Sequence, residues 1–291
     1  MHFGIRFKTC HSCSHRSLLK FLEMQFQSIF LTAADSSHLG RLDYASLSTQ
    51  ALMEILIEGI ENREVICGSR QEPADIDEWR GVEYLQKQPV DISEKYFNIR
   101  WFNLGLVGTI DLQWLPPTII LFIVFRNRLS GSLNLAGLPP SMLVLDLSCN
   151  EFSGEIDLCH LPTEIKELKL VHNQLSGSLN IEKLPQSIET LYLGDNHFSG
   201  TVCFRYLPAG LQNLSVSNNK LSGVVHLTHV PVKMKYLWLS MNNFEGETDF
   251  SQLPAGLSAL DVSATNLSGE IVVGNRVTDF DTEDSNVQLI Q

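Results

Sequence analysis

Cys10-His11-Ser12-Cys13-Ser14-His15 is where metal-ligating side chains crowd together in this sequence, and a CxxC beside histidines is half of a zinc site. No second pair follows at a spacing that completes a tetrahedron, so the motif reads as part of a tail. His160, His172, His197, His226 and His229 fall at unrelated positions, no nucleophile sits in a recognisable elbow, and no glycine-rich loop leads into a helix with a well-spaced lysine. The sequence therefore predicts neither an enzyme nor a bound cofactor. Two other groups of side chains stand out. Asn127, Asn150, Asn173, Asn196, Asn219 and Asn242 recur every 23 residues, and a carboxamide can both donate and accept hydrogen bonds. Tyr192, Tyr236 and Trp238, with Glu167 and Lys169 close by in the pattern, are the kinds of residue that grip a partner surface.

Such residues need a frame, and the frame is a repeat. Prolines from Pro116 to Pro254 and glycines from Gly108 to Gly269 keep the same 23-residue beat. A fixed period of that length marks a solenoid. In Leu145-Asp146-Leu147-Ser148 the apolar residues alternate with polar ones, which predicts a short strand with one face in the core. Stacked turns place these strands side by side as a parallel sheet. Asn150 then turns the chain inward, and a column of asparagines can satisfy turn groups that would otherwise be buried bare. Ile156-Asp157-Leu158 alternates again and is expected to be a second run of extended chain. Too few residues remain before the next strand for an α-helix, and Pro162 lies among them.

The pattern LxxLxLxxNxLSGxIDLxxLPxx resembles the leucine-rich repeat, close to the variant with LSGxI found in plant receptor ectodomains, and the resemblance runs from about Tyr96 to Val273. The expected fold is a mostly β leucine-rich repeat solenoid with a parallel concave sheet, little or no convex helix and a helical N-terminal cap. Residues 96–273 form an array of about eight coils, degenerate at both ends: Leu104 stands where the asparagines would begin and Thr265 takes their slot in the last coil. Residues 274–291 close the array.

Residues 1–40 are foreign to the repeat. Leu18, Leu19, Leu22, Phe26, Ile29 and Phe30 share one helical stripe, but Lys20, Glu23 and Gln25 interrupt the apolar run that a cleaved leader needs. The stretch reads as a docking helix or a tail. Residues 41–95 carry Ser48 as an N-cap and a helix over Thr49 to Glu61, followed by Trp79-Arg80-Gly81-Val82. A helix and then W-x-G-V resembles the N-terminal cap of plant-type leucine-rich repeat proteins, although those caps carry a cysteine pair and only Cys67 lies here. The first coil would expose its apolar edge without such a cover.

A net charge of −12 argues against binding nucleic acid through its phosphates. The longest apolar run, Ile119 to Phe125, is too short for a membrane span. The six cysteines follow no disulfide framework, so they are expected to be reduced and the chain cytoplasmic; Asn213-Leu-Ser215 and Asn266-Leu-Ser268 are glycosylation triplets that keep a secreted or cell-surface placement as the alternative.

Variation between the repeats carries the functional reading. Core columns barely change, whereas the column through Asp146 reads Ile123, Asp146, Lys169, Tyr192, Ser215, Trp238, Asp261, and its neighbour reads Leu121, Val144, Glu167, Thr190, Asn213, Tyr236, Ala259. Such a scaffold suits recognition of a protein or peptide on the concave face. Strand spacing makes that face roughly 600 Å², near the roughly 800 Å² that each partner of a standard interface contributes. Ile120, Leu121, Ile123 and Phe125 are apolar at outward positions, and the N-terminal region is expected to cover part of them. The alternative function is a secreted or surface-displayed receptor, adhesion or antigen role.

Overall fold

A computed structural model describes residues 44–85, 96–274 and 278–291. The chain divides into two units, residues 1–46 and 47–291. Of the first, only the single turn of 3-10 helix at Tyr44–Ser46 is described. The CxxC segment and the stripe from Leu18 to Phe30 lie outside the described residues.

The second unit is a parallel β-solenoid. Its described residues form a ten-stranded and a nine-stranded sheet with the core between them. In the ten-stranded sheet, nine strands from Phe97–Arg100 to Asp279–Asp281 run parallel, one per turn, and Val82–Tyr84 pairs antiparallel with the first of them. Within each turn the inward pair, such as Leu145 and Leu147, is fully buried. The turns stack in register through most of the sheet, with Thr190 beside Asn213 beside Tyr236. The last turn is a short one: Asp261 lies beside Asp281 rather than 23 residues on, and it falls in the segment expected to close the array.

After each of the nine parallel strands the chain reverses through a residue in the left-handed region, at Asn103, Arg126, Cys149, His172, Asp195, Asn218, Met241, Ala264 and Asp284, with φ between 49° and 58°. That conformation costs an L-residue about 1–2 kcal/mol. The asparagine that follows offsets the cost. Asn173 Nδ2 donates to the carbonyls of Leu170 and of Leu147 in the preceding turn, both at 3.1 Å, and its Oδ1 accepts from the Phe152 N–H at 3.1 Å. The other five asparagines make the same contacts one turn apart, beginning with Asn127 Oδ1 on the N–H groups of Leu104 and Leu106. Thr265 Oγ1, in the seventh slot, reaches only its own turn, donating to the Val262 carbonyl.

The second sheet lies earlier in each repeat than the alternation suggested. Its strands are stretches such as Glu151–Glu155 and Gln174–Gly177, directly after the asparagine, with Phe152 and Leu175 buried. Ile156-Asp157-Leu158 is instead a turn: Asp157 Oδ1 accepts from the Cys159 N–H at 2.8 Å. Asp111, Asn134, Asn180 and Asp249 do the same in their own repeats. A side chain that bonds its own backbone two residues on imitates a β-turn, and apolar neighbours on either side of it mimic the period of a strand. Between the sheets on the return side, only the 3-10 turns at Leu112–Trp114 and Leu135–Gly137 interrupt the described coils.

The helix ends sooner than expected. It spans Thr49–Leu56, with Ser48 Oγ accepting from the Ala51 N–H, and a second short helix follows at Glu64–Cys67. From Ile57 the chain leaves the helix to pair with the edge of the nine-stranded sheet. The Glu61 N–H donates to Val107 O at 2.8 Å, and the Thr109 N–H donates to Gly59 O at 2.9 Å. Asn62 does for this edge what the ladder does elsewhere, accepting from the Val107 N–H and donating to Gly105 O, both at 3.0 Å. Met53, Leu56, Ile60, Ile66 and Trp79 join the solenoid core, so one continuous hydrophobic cluster runs from this segment into the turns.

Candidate functional site

The outward residues of the ten-stranded sheet form columns set by the strand register. Tyr192 pairs with Ser215, Ser215 with Trp238, and Trp238 with Asp261; in the adjacent column Asn213 pairs with Tyr236, and Tyr236 with Ala259. Inward Leu191, Leu214, Leu237 and Leu260 are buried, so side chains two apart on these strands emerge on the opposite face. The structure brings Tyr192, Tyr236 and Trp238 together. Tyr236 and Trp238 stack with centroids 5.2 Å apart and an interplanar angle of 19°. The Tyr192 and Trp238 rings are 5.8 Å apart, whereas two strand spacings amount to about 10 Å. Both rings therefore lean over the small Ser215 that separates them. Burial pushes the Tyr192 phenol up, further from ionisation than a free tyrosine.

Charges around the rings are of two kinds. Lys169 Nζ bonds Glu167 Oε2 at 2.6 Å on one strand, and Lys166 lies 3.5 Å from Glu189, which also accepts from Gln212. Lys235, beside Tyr236, is exposed. Asn213 Nδ2 donates to Thr190 Oγ1 at 2.8 Å, tying two rows together under the rings. Tyr236 stays 36% exposed within this packed group. Toward the N-terminal end of the same face, Leu121 and Ile123 are half-buried while Phe102 and Phe125 are exposed.

The remaining chemistry-bearing residues are scattered. His160 bonds Asp157 at 2.6 Å, His172 approaches Asp195 at 3.5 Å, and His229 meets Thr228, in three separate turns. No group of three metal-ligating side chains occurs among the described residues. Cys67, Cys149, Cys159 and Cys203 are free thiols, and burial pushes the first three up, away from the thiolate form that reacts. Of the two glycosylation triplets, Asn213 is half-buried and hydrogen-bonded, and Asn266 is exposed. No helix among the described residues is long and apolar enough to cross a membrane.

Sequence reasoning identified the outward columns but missed three features of this geometry. The lean of Tyr192 and Trp238 toward each other has no signature in residue spacing. Asn62 gave no sign of its capping role because it lies outside the period. The carboxylates Asp279 and Asp281, which extend both columns, escaped because the last turn breaks the 23-residue beat.

No family model matches the chain, and no curated protein does. Among solved structures, a plant ice-binding protein matches 82% of this chain and 86% of its own, at 18% identity and a TM-score of 0.55. A TDR receptor matches 62% of the chain at 25% identity and a TM-score of 0.47, and the chain spans 35% of that receptor's length. The leucine-rich repeat ectodomain of the Arabidopsis thaliana receptor kinase SOBIR1 matches over 70% of this chain and 98% of its own, at 20% identity and a TM-score of 0.43.

Proposed function

We propose that this leucine-rich repeat solenoid is a non-enzymatic scaffold that binds a protein or peptide on the outer face of its ten-stranded sheet, with Tyr192, Tyr236 and Trp238 as the energetic centre. The observation that carries the reading is the aromatic cluster itself: three large rings gathered on a face whose adjoining rows place Glu167, Lys169, Asn213, Ser215, Ala259 and Asp261 at the same positions. Large aromatics ringed by polar groups are where binding energy concentrates, and their truncation often costs about 2 kcal/mol or more. Lys169, Glu167 and Glu189 supply a polar rim. The face suits an extended or folded polypeptide better than a small molecule, which calls for a concave pocket.

A pull-down with the full chain, followed by affinity measurement on the partner found, tests this. Trp238→Ala is expected to lower affinity by about tenfold or more with little change in Tm. Binding that survives Trp238→Ala and Tyr236→Ala together overturns the assignment of the face.

The compartment turns on two sets of residues. A cytoplasmic placement draws on the free thiols and gains nothing from the structural resemblances; the secreted or surface-displayed alternative draws on the exposed Asn266 in its triplet. Mapping glycans on native material at Asn266 decides between them.

A further inference from the structure

The aromatic cluster has different neighbours on its two sides. Toward the N-terminal end, Lys169 and Lys166 are matched by Glu167 and Glu189. Toward the C-terminal end, Trp238 adjoins Asp261, Asp261 adjoins Asp281, and Tyr236 faces Asp279 across Ala259. None of these three carboxylates is in an ion pair among the described residues. Asp261 Oδ1 accepts from the N–H and the hydroxyl of Ser263, at 3.0 and 2.6 Å, which fixes the carboxylate beside the rings. Residues 233–291 contain nine acidic side chains against three basic ones, Lys233, the exposed Lys235 beside Tyr236, and Arg276, which lies outside the described residues. They hold −6 of the chain's net −12.

We propose that the partner presented to this face is a basic, arginine-bearing extended segment, with a guanidinium on the Tyr236–Trp238 stack and its charge directed at Asp261 and Asp281. The inference rests on the reading of this face as the binding surface and adds the chemical class of the ligand. A planar guanidinium stacks on aromatic rings and forks onto a carboxylate, and it sheds water more readily than an ammonium group. Ala259 and Ser258 are small residues in the rows between Tyr236 and Asp279, leaving room for an arginine stem. Backbone amides of an extended chain can meet the hydroxyls of Ser217 and Ser263 beside the rings. A second copy of this chain is a poor occupant, because it would bring the same unpaired carboxylates together.

The test uses the full chain and a fluorescein-labelled peptide of arginines spaced by glycine and serine, with citrulline replacing arginine in a matched control, read by fluorescence polarisation at roughly 150 mM salt. Four proteins are compared: wild type, Asp261→Asn with Asp281→Asn, Trp238→Ala, and Glu245→Gln with Glu247→Gln. The last pair removes the same charge from the other sheet. The arginine peptide is expected to bind wild type and to lose about tenfold or more with citrulline, with the double asparagine variant and with Trp238→Ala, while the Glu245 and Glu247 variant stays within about twofold. Asn keeps an Oδ1 to accept from Ser263 at position 261 and from the Glu283 N–H at position 281, as Asp261 and Asp281 do, and an unchanged Tm confirms that folding is not the cause. No binding of the arginine peptide, equal binding of the citrulline peptide, or equal loss in the Glu245 and Glu247 variant overturns the proposal. Against the partner recovered by pull-down, a loss with Trp238→Ala but not with the double asparagine variant sinks the arginine class and leaves the face standing. Survival in both sinks the face.

Discussion

The two sheets share one period and one core, yet only one of them keeps an outward column nearly constant. On the nine-stranded sheet the residue before the glycine is Ser130, Ser153, Ser176, Ser199, Ser222, Glu245 and Ser268 from the second strand on, nearly the same side chain every turn. Val107, however, precedes Gly108, and the exposed column two residues earlier varies through Arg128, Glu151, Gln174, His197, Lys220, Asn243 and Asn266. On the ten-stranded sheet the column through Trp238 holds a different chemistry in almost every row. Backbone geometry accounts for part of the contrast. The glycines of the second sheet lie at φ between 81° and 138°, so the chain there is constrained residue by residue. The strands of the first sheet are ordinary extended chain, and nothing structural dictates what points outward from them. Diversity placed where the fold leaves freedom is what a recognition surface requires.

The seam between the sheets is where the comparison breaks most violently. Asn173→Leu leaves the Phe152 N–H without its partner and removes one of the two asparagine donors on each of the Leu147 and Leu170 carbonyls, which keep Asn150 and Asn196. A buried N–H left unpaired costs about 1–3 kcal/mol, so a loss of that size is expected in denaturant melts. A variant that melts like the parent while losing its partner would reverse the roles given to the two sets of residues.

The constrained sheet comes next. Gly154→Ala meets nothing nearer than the Ser132 Cβ at 3.7 Å, so its cost is that of φ +87° alone, about 1–2 kcal/mol. Gly108→Ala adds a collision, since its Cβ would sit 2.2 Å from Gly59 O, in the backbone pairing that closes the sheet edge. It is expected to melt well below Gly154→Ala, and equal melting temperatures would show that the pairing at Gly59 contributes nothing.

The sequence disclosed most of this frame because a repeat repeats its own evidence: the asparagine slot, the inward leucines and both outward columns are visible from spacing alone. Features that depend on torsion were hidden. Nothing about Cys149, His172 or Met241 announces a left-handed residue, since the turn is imposed by the asparagine that follows. The second strand was misplaced because Asp157 between Ile156 and Leu158 gives the same alternation as a strand. At the candidate site, the shared face of Tyr192, Tyr236 and Trp238 was legible, and their mutual approach was not, because side-chain torsions decide it.

A smaller effect, of opposite sign, is expected inside the core. Thr248 occupies the column of Val225 and Ile271, is 2% exposed, and its Oγ1 has no hydrogen-bond partner among the described residues. Thr248→Val removes that buried hydroxyl and should stabilise by about 1 kcal/mol in urea melts. Destabilisation would mean that the hydroxyl has a partner, such as a bound water.

The smallest stability effect belongs to the variable face, and it probes the site most directly. Ser215 separates Tyr192 from Trp238 in their column, and the 5.8 Å approach of those rings depends on its small size. Ser215→Ile introduces a β-branched residue that suits a strand, so global stability should change by no more than about 1 kcal/mol, the span of strand propensity. Its added bulk lies directly beneath the rings and must push them apart. The near-UV circular dichroism of the coupled rings should weaken, and partner affinity should fall with it. If Ser215→Ile separates the rings and leaves affinity untouched, the Tyr236–Trp238 stack suffices by itself and Tyr192 drops out of the binding centre.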